Sequence, residues 1–456
     1  MNMAKITALT TTVLILISCV YAAPAKALCP SEKIEKLADI PHSSDYSVCN
    51  LQKMHIEDDK LIVCANTGLY AIDLNVPSVA EPYGFAGIPI ADFIKNGSTI
   101  LARRGDVVVN GSVENKLPYA YISNDNGKTY KAFYPEKMHH DVHGDCWSFI
   151  SSMAQNPHND DEILVLNLYG LWKSTDFGAT WTHLSEYRVG NSVACFMEYF
   201  PHDTETFMYH GENMIFQDSF YITRDGGKSW QFISGIFPGD NCMHQMAFHP
   251  TDPNVWVYGG EGCIGLTEDA GHTFNIVWNV WSDTGNNAYF YNILFDQSNH
   301  DVIFAAGETS SSEVDGRFMR VVASCDKGKT WEKVAEIPVA RDQFENNPID
   351  MIQTNRHLYI MTSDSKVYRV LKKDLMAATG IKSDFIDSQL LVSVSSNSIS
   401  FNSEVSDICI YSMSGKGLVN NRSNGKLVDI SDLPNDVYIL SFVYDSTPRS
   451  VKFVRK

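Results

Sequence analysis

One eight-residue pattern occurs five times in this chain, and it limits the fold more than any other feature of the sequence. The pattern is Ser/Thr-x-Asp-x-Gly-x-Thr/Ser-aromatic, and we call each copy an octet. The octets read SNDNGKTY, STDFGATW, TRDGGKSW, TEDAGHTF and SCDKGKTW. Their aspartates are Asp125, Asp176, Asp225, Asp269 and Asp326, which stand 51, 49, 44 and 57 residues apart. A period of this length is expected of a repeated four-stranded unit.

Each residue type in the octet suits a tight hairpin turn. The Asp carboxylate can accept backbone N–H groups inside the loop, and glycine can adopt the positive φ that a side chain would hinder. The final aromatic residue begins the returning strand and can wedge between neighbouring sheets, burying on the order of 150–250 Å². We therefore expect the five aspartates to hold turns and to take no part in catalysis.

A second pattern runs in phase with the octets. An apolar strand, a turn rich in Pro, Asn and Asp, and a β-rich strand precede each of the last four octets, and Pro157 and Pro250 each stand 19 residues before the octet aspartate. Residues 60–74 and 357–371 keep the paired strands without an octet, which brings the count to about seven units. Four-stranded units that stack radially form a β-propeller, so the sequence predicts an all-β, seven-bladed β-propeller.

The octets resemble the Asp-box, or BNR, repeats of sialidase-type propellers. That superfamily also includes sortilin-type receptors, xyloglucanases and photosystem assembly factors, and the resemblance covers roughly residues 45–375. It implies that each octet lies between the third and fourth strands of a blade, on the face away from an active site. The same fold serves hydrolases, lyases, receptors and scaffolds, so the resemblance does not settle a function.

The two ends of the chain differ in composition from the propeller region. Residues 1–27 have a basic start, a short apolar run and small residues at the end, which predicts a signal peptide. The letters LISC ending at Cys19 also resemble a lipoprotein box, the alternative in which Cys19 becomes lipid-modified. We expect the propeller over residues 28–375, a linker over 376–388 and a small β-sandwich over 389–456.

The segments IYSMSGKGL, VDISDLPNDVYILSF and VKFVRK in this tail resemble the C-terminal sorting domain of the type IX secretion system of Bacteroidetes. The resemblance implies that the secretion machinery is a partner. It also implies that the protein is secreted or lies on the outer-membrane surface of a Gram-negative bacterium. The alternative is an accessory sandwich with no sorting role.

Charge and cysteine content exclude some functions. A formal net charge of −18 and the absence of clustered Lys and Arg argue against nucleic-acid binding. Ten cysteines without a C-x-x-C pair give no support to a zinc ribbon, and Cys29 with Cys49 and Cys242 with Cys263 are plausible disulfides. We expect no cofactor.

The loops that enter each innermost strand, and those that join the second and third strands, are expected to form the substrate face. The most unusual of them is MHHDVHGDCW, in which His140, His143 and Asp145 are candidate acid, base or substrate-contact residues. Metal binding through this loop and a merely solvated loop are the alternatives, and we assign no metal ligand.

Other blades supply candidate substrate-binding residues. Arginine pairs with carboxylates and aromatic rings stack on the apolar faces of sugars, so this mixture suits an acidic or a neutral glycan. The alternative is that these side chains fill the channel around water. The candidates are Arg188, His244, Tyr289, Tyr291, Arg341 and Glu345.

The first arginine motif of sialidases, Phe/Tyr-Arg-Ile-Pro, is missing, because AGIPIAD has glycine where the arginine should stand. We therefore do not predict a standard sialidase. The leading hypothesis is an exported, surface-associated propeller that recognises a glycan or polysaccharide and, if it is an enzyme, cleaves it as a glycosidase or polysaccharide lyase. The alternative is a non-enzymatic glycan- or protein-binding propeller. The sequence does not predict the oligomeric state.

Overall fold

The computed structural model describes most of the chain. The described residues are 28–42, 47–49, 53–109, 112–113, 120–133, 150–167, 170–185, 195–211, 219–234, 243–260, 262–279, 289–308, 317–339, 348–362, 366–379, 392–394, 398–412, 416–421, 425–444 and 447–455. The structure is all-β except for one 3-10 turn and one short α-helix, and it contains seven four-stranded sheets and an additional β-sheet domain. The predicted fold class is confirmed.

The first element of the described residues is a 3-10 turn at Ser31–Lys33, followed by β1 (Ile34–Lys36) and β2 (Ser47–Cys49). Blade 1 consists of β3 (Met54–Glu57), β4 (Lys60–Ala65), β5 (Gly68–Asp73) and β6 (Ala80–Gly84). Blade 2 contains β7 (Ile90–Asn96) and β8 (Thr99–Arg104), then β9 (Asp106–Val109) and β10 (Ser112–Val113) as an insertion, then β11 (Ala120–Ser123) and β12 (Lys131–Ala132). The insertion pairs with β2 in a separate three-stranded sheet.

The next four blades follow one another along the chain without interruption. Blade 3 consists of β13 (Ile150–Asn156), β14 (Asn159–Asn167), β15 (Gly170–Ser174) and β16 (Thr182–Ser185). Blade 4 consists of β17 (Cys195–Tyr199), β18 (Phe207–Gly211), β19 (Ser219–Thr223) and β20 (Gln231–Ser234). Blade 5 consists of β21 (Met243–Phe248), β22 (Trp256–Gly260), β23 (Cys263–Thr267) and β24 (Asn275–Asn279). Blade 6 consists of β25 (Tyr289–Phe295), β26 (Ile303–Glu308), β27 (Arg317–Ser324) and β28 (Glu332–Val339).

Blade 7 joins the two ends of the propeller. It consists of β29 (Pro348–Gln353), β30 (His357–Thr362) and β31 (Val367–Leu371), and its outer edge is β1, which pairs antiparallel with β31. Two ion pairs support this closure: Arg369 Nε lies 3.0 Å from Glu35 Oε2, and Lys33 Nζ lies 2.7 Å from Asp374 Oδ1. The first strand of each blade is innermost, and β29 contacts β3, so the inner strands form a closed ring.

The aromatic residue that ends each octet occupies an equivalent position in each blade. Trp181 of blade 3 packs with Leu101 of blade 2, and Trp331 of blade 6 packs with Val257 of blade 5. Each ring thus lies in the apolar core between its own blade and the preceding one, where it separates the two sheets. Tyr130, Trp230 and Phe274 lie in the corresponding cores of their blades.

All five octets form the same hydrogen-bonded turn. The aspartate accepts the backbone N–H of the residue four positions later, at 2.7 to 2.9 Å, and also its hydroxyl. The Thr129 hydroxyl and N–H groups thereby lower the pKa of Asp125 to about 2. Gly178 has a φ of 88°, a conformation that glycine adopts without steric cost.

The octet turns lie beside the first hairpin of the same blade. Phe177 N–H donates to Asp161 O at 2.8 Å, and Asn126 N–H donates to Ser98 O at 2.9 Å. Ser98 belongs to the connection between the first and second strands of blade 2, and Asp161 lies near the start of the second strand of blade 3. One face of the propeller therefore carries both sets of turns, and we call it the octet face.

A short helix, α1 (Lys372–Thr379), follows blade 7 directly. Its Leu375 and Met376 are buried in the core formed by blades 6 and 7. Lys372 Nζ donates to Asp296 Oδ2 and, at 2.6 Å, to Gln353 Oε1, so a buried ion pair fixes the start of the helix. Among the described residues, no helix has the length and apolar character needed to cross a membrane.

The tail forms a six-stranded half-barrel around its own apolar core. Its strands are β32 (Val392–Val394), β33 (Ser398–Ser412), β34 (Gly417–Asn421), β35 (Gly425–Asp429), β36 (Val437–Tyr444) and β37 (Thr447–Val454). The long strand β33 pairs with four of the others. Ile399 and Ile410 of β33 and Leu440 of β36 are fully buried in the core.

One of the two expected disulfides, Cys29 with Cys49, does not form in this structure, because Cys29 is a buried free thiol. Pro30 O lies 3.8 Å from Cys29 Sγ, within hydrogen-bonding reach of sulfur. Cys263 is buried, and the Tyr258 hydroxyl lies 3.8 Å from its Sγ. Cys242 lies outside the described residues, so its pairing with Cys263 stays a prediction.

Candidate functional site

The seven inner strands surround an axial channel, and each contributes at least one buried apolar residue to the cores between blades. These residues are Met54, Phe93, Met153, Met197, Met246, Ile293 and Met351, all of them buried. The residues that precede them are Lys53, Asp92, Ser152, Phe196, Gln245, Asn292 and Asp350, and those that follow are His55, Ile94, Ala154, Glu198, Ala247, Leu294 and Ile352. The charged and imidazole side chains of these two sets come from blades 7, 1, 2 and 4, so the charge is concentrated on one side of the channel.

Lys53 and Asp350 form an ion pair where blade 7 meets blade 1. Lys53 Nζ lies 3.3 Å from Asp350 Oδ1, and Met54 N–H donates to Asp350 Oδ2 at 2.6 Å. Burial lowers the pKa of Lys53, but the carboxylates of Asp350 and Asp92 outweigh this and leave the pKa raised. Lys53 therefore remains a cation in this part of the channel.

His55 and Asp92 form a second polar contact, between blades 1 and 2. His55 Nε2 lies 3.2 Å from Asp92 Oδ1, and the same oxygen accepts the Phe93 N–H at 2.7 Å. The imidazole also packs on the Phe93 ring, with 4.1 Å between ring centroids. These contacts fix the orientation of both polar side chains toward the channel side of the blades.

Glu198 projects into the channel from β17 of blade 4. Its side chain lines the cavity described below. Protein surrounds this cavity, and the side chain is exposed to the open space of the channel. Enclosure raises the pKa of Glu198 to about 7, with Asp92 adding to the rise and with Lys53 and the Tyr199 N–H opposing it. A carboxyl group of this kind can donate or accept a proton near neutral pH.

These side chains line a cavity of about 640 Å³ bounded by the inner strands of blades 1 to 4. Asp58 and Gly97, which lie in the first hairpins of blades 1 and 2, belong to its lining, so the cavity reaches the octet face. The sequence resemblance instead implied an active site on the opposite face. Its other lining residues are His55, Ile56, Glu57, Asp92, Phe93, Ile94, Lys95, Met153, Ala154, Gln155 and Glu198.

Three of the predicted substrate-binding residues lie in the described part of the structure. His244 is on β21, and Tyr289 and Tyr291 are on β25 of the neighbouring blade. The rings of His244 and Tyr291 lie 4.5 Å apart between centroids, tilted by 39°. A register shift marks both His244 and Tyr291 as bulged residues, and β-bulges are a common means of redirecting a side chain beside a functional site.

Burial lowers the pKa of His244 to about 4, and neighbouring His210 adds to this effect, so the imidazole is neutral at physiological pH. The remaining predicted site residues, His140, His143, Asp145, Arg188, Arg341 and Glu345, lie outside the described residues. Within the described ranges, no group of three or more His, Cys, Asp and Glu side chains is arranged to hold a metal ion.

The channel residues Lys53, His55, Asp92, Glu198 and Asp350 were not among the sequence predictions. The signal that marks them is a charged or imidazole residue directly beside the buried apolar residue of an inner strand, as in KMH, ADF, MEY and IDM. A charged residue in a strand that packs between two other blades is unusual unless the strand also lines a polar space.

Comparisons with known proteins agree with the fold. Residues 119–234, about a quarter of the chain, match the Sortilin-Vps10 family, described as sortilin, neurotensin receptor 3. No curated protein matches the sequence.

Two solved structures share the propeller architecture. A GH74 xyloglucanase from Xanthomonas campestris is 14% identical with a TM-score of 0.52, and the match covers 75% of this chain and 54% of that chain. The GH74 enzyme of Niastella koreensis is also 14% identical with a TM-score of 0.52, and the match covers 91% of this chain and 67% of that chain. This chain thus spans about half of the first enzyme, and the similarity at this identity is one of fold.

Proposed function

We propose that this protein is an exported, surface-associated propeller that recognises a glycan and cleaves it in or beside the axial channel. The observation that carries the proposal is the described part of the channel. It is a polar cavity of about 640 Å³ with Asp92 and Glu198 in its lining, instead of a channel filled by apolar side chains.

The two carboxyl groups differ in a way that suits hydrolysis of a glycosidic bond. Glycosidases pair a carboxylic acid, which protonates the leaving oxygen, with a carboxylate that acts as base or nucleophile. Glu198 has a pKa raised to about 7, while Asp92 accepts hydrogen bonds from the Phe93 N–H and from His55 when the Nε2 of its ring is protonated. Glu198 is therefore the better acid and Asp92 the better carboxylate.

The comparisons add support of a weaker kind. The two fold neighbours are named as a xyloglucanase and a GH74 enzyme, and a glycan ligand for this chain is in keeping with them. The octets carry the Asp-box pattern, and the N-terminal and tail sequences carry the export and sorting patterns described above. We propose from these patterns that the protein reaches the cell surface through the type IX machinery.

The alternative function is non-enzymatic binding of a glycan or protein. The match of residues 119–234 to a family that includes the neurotensin receptor sortilin favours it, because that name describes a receptor. The two functions differ in whether the protein cleaves the glycan that it binds.

The test is a glycan array followed by incubation of the purified protein with the polysaccharides that bind best, with reducing ends measured over time. The glycosidase proposal predicts new reducing ends, and it predicts that Glu198→Gln, which removes the assigned acid, slows their release. Glu81→Gln, at an exposed glutamate on the outer strand of blade 1, is the matched control. Binding with no product at any pH would replace the enzyme proposal by the receptor-like one.

A further inference from the structure

The charges around the axial cavity are unequal in sign. Among its described lining residues, four carboxyl groups face one ammonium group, and no arginine is present. The carboxyl groups belong to Glu57, Asp58, Asp92 and Glu198, and the ammonium group belongs to Lys95. The cavity is therefore acidic whenever Glu198 is ionised.

The two lysines at this site are already engaged by protein groups. Lys95 Nζ lies 2.7 Å from Glu57 Oε2 and 2.7 Å from the Tyr83 hydroxyl, and Lys53 is paired with Asp350. Neither ammonium group can turn to a ligand carboxylate without leaving a protein carboxylate uncompensated, which is costly in an enclosed site. The side chains that remain to meet a ligand are mainly hydrogen-bond acceptors.

We infer that the axial channel takes an uncharged saccharide and rejects an anionic one. This inference rests on the proposed function, in that the ligand is taken to be a glycan, and it narrows the acidic-or-neutral choice that the sequence left open. Sugar hydroxyls can donate to the carboxylates of Asp92 and Glu198, whereas the carboxylate of a uronate or sialate would be repelled by them. Recognition of an anionic sugar would need a bidentate arginine, which the described lining does not supply.

Glu198 makes the rejection dependent on pH. The charged groups that act on it are Lys53 and Asp92, together with the Tyr199 N–H dipole, and His55, Glu57, Asp58 and Lys95 line the same cavity. When Glu198 takes up a proton as the pH falls through about 7, one negative charge disappears from the cavity. Repulsion of an anionic ligand then weakens, while a neutral ligand loses little.

The experiment compares matched ligands on the full-length protein by titration calorimetry. The probes are neutral tetrasaccharides of gluco, manno and galacto configuration and their counterparts oxidised to the uronate at C6. At pH 8 we expect the neutral member of the best-binding pair to bind at least about tenfold more tightly than its uronate. This factor is at the lower end of the repulsion expected between two unit charges in a partly screened site. At pH 5.5 we expect the difference to shrink severalfold.

Glu198→Gln keeps the shape of the side chain and removes its charge. It should reduce the discrimination at pH 8 to the value that the wild type shows at pH 5.5. Glu81→Gln, an exposed glutamate on the outer strand of blade 1, should leave the discrimination unchanged.

The outcomes separate the inference from the function on which it rests. A uronate that binds the wild type as tightly as its neutral partner at pH 8 overturns the inference and leaves glycan recognition standing. Unchanged discrimination in Glu198→Gln overturns the part assigned to Glu198. Failure of every saccharide to bind overturns the proposed function itself.

Discussion

Replacing Lys372 by methionine should destabilise the propeller strongly, because it leaves a buried carboxylate without its cation. Lys372 and Asp296 are both fully buried, and the ammonium group donates to Asp296 Oδ2 and to Gln353 Oε1. The other oxygen of Asp296 accepts the Ser298 N–H at 2.8 Å and the Asn299 N–H at 2.9 Å. These contacts stay in the variant, so the loss is confined to one side of the carboxylate.

The expected cost follows from the asymmetry of buried ion pairs. Removing one partner of such a pair lowers the free energy of unfolding by about 3–5 kcal/mol. We expect the cost of Lys372→Met to lie near the lower end of this range, because the hydrogen bonds to Asp296 Oδ1 still stabilise part of the negative charge. Adding Asp296→Asn to this variant should recover part of the loss, since the uncompensated charge is then gone.

Denaturant unfolding followed by tryptophan fluorescence and circular dichroism measures these free energies. The matched control is Lys373→Met, because Lys373 is the next residue on α1 and is exposed, and its cost should stay within about 0.5 kcal/mol. A cost below about 1 kcal/mol for Lys372→Met, or a double variant that is less stable than Lys372→Met alone, would refute the reasoning.

Three further predictions concern the octets and the tail. Trp181→Ala should lower the free energy of unfolding by about 3–5 kcal/mol, because this 8% exposed ring fills the core between blades 2 and 3, and Trp181→Phe should cost less in the same assay. The pKa of Asp125 is lowered to about 2, so its stabilising effect is complete above about pH 4 and is lost as the pH falls through about 2. Asp125→Asn should therefore make acid unfolding, followed by circular dichroism, less steep across that range. Deletion of residues 389–456 should keep the protein on the periplasmic side of the outer membrane of its native host, as measured by cell fractionation and protease accessibility. A deletion variant that is still exposed at the cell surface would contradict the sorting role.

The repeat made much of the fold predictable. The octets recur because each blade needs the same turn, and the terminal aromatic recurs because each gap between blades must be filled. Residues 60–74 and 357–371 were correctly read as paired strands, since they form β4, β5, β30 and β31. Local patterns of this kind report on local structure, and the propeller is built from seven similar local structures.

Long-range features were less accessible. The pairing of β1 with β31 depends on a three-residue strand, IEK, which carries too little pattern to identify its partner. Helix α1 fell across the end of the predicted propeller and the start of the linker, because eight residues give a weak helical signal beside a composition shift. The boundaries of the domains stay a prediction.

The charged residues of the channel show the same limit in the site. Lys53, Asp92 and Glu198 lie far apart in the sequence, and only the circular arrangement of blades brings their charges close enough to interact. Each charge alone resembles an ordinary polar residue in a short strand. The sequence instead predicted a site in loops with unusual composition, such as the one containing His143.

The pairing of β1 with β31 also sets a condition on the life of the chain before it is folded. Arg369 and Glu35, which meet across this seam, stand 334 residues apart, so a nascent polypeptide cannot complete the propeller until Arg369 has been synthesised. Cleavage of the predicted signal peptide would likewise have to leave Ile34 and its neighbours in place. A proteolytic cut a few residues too far downstream would remove the clasp and leave blade 7 with an open edge.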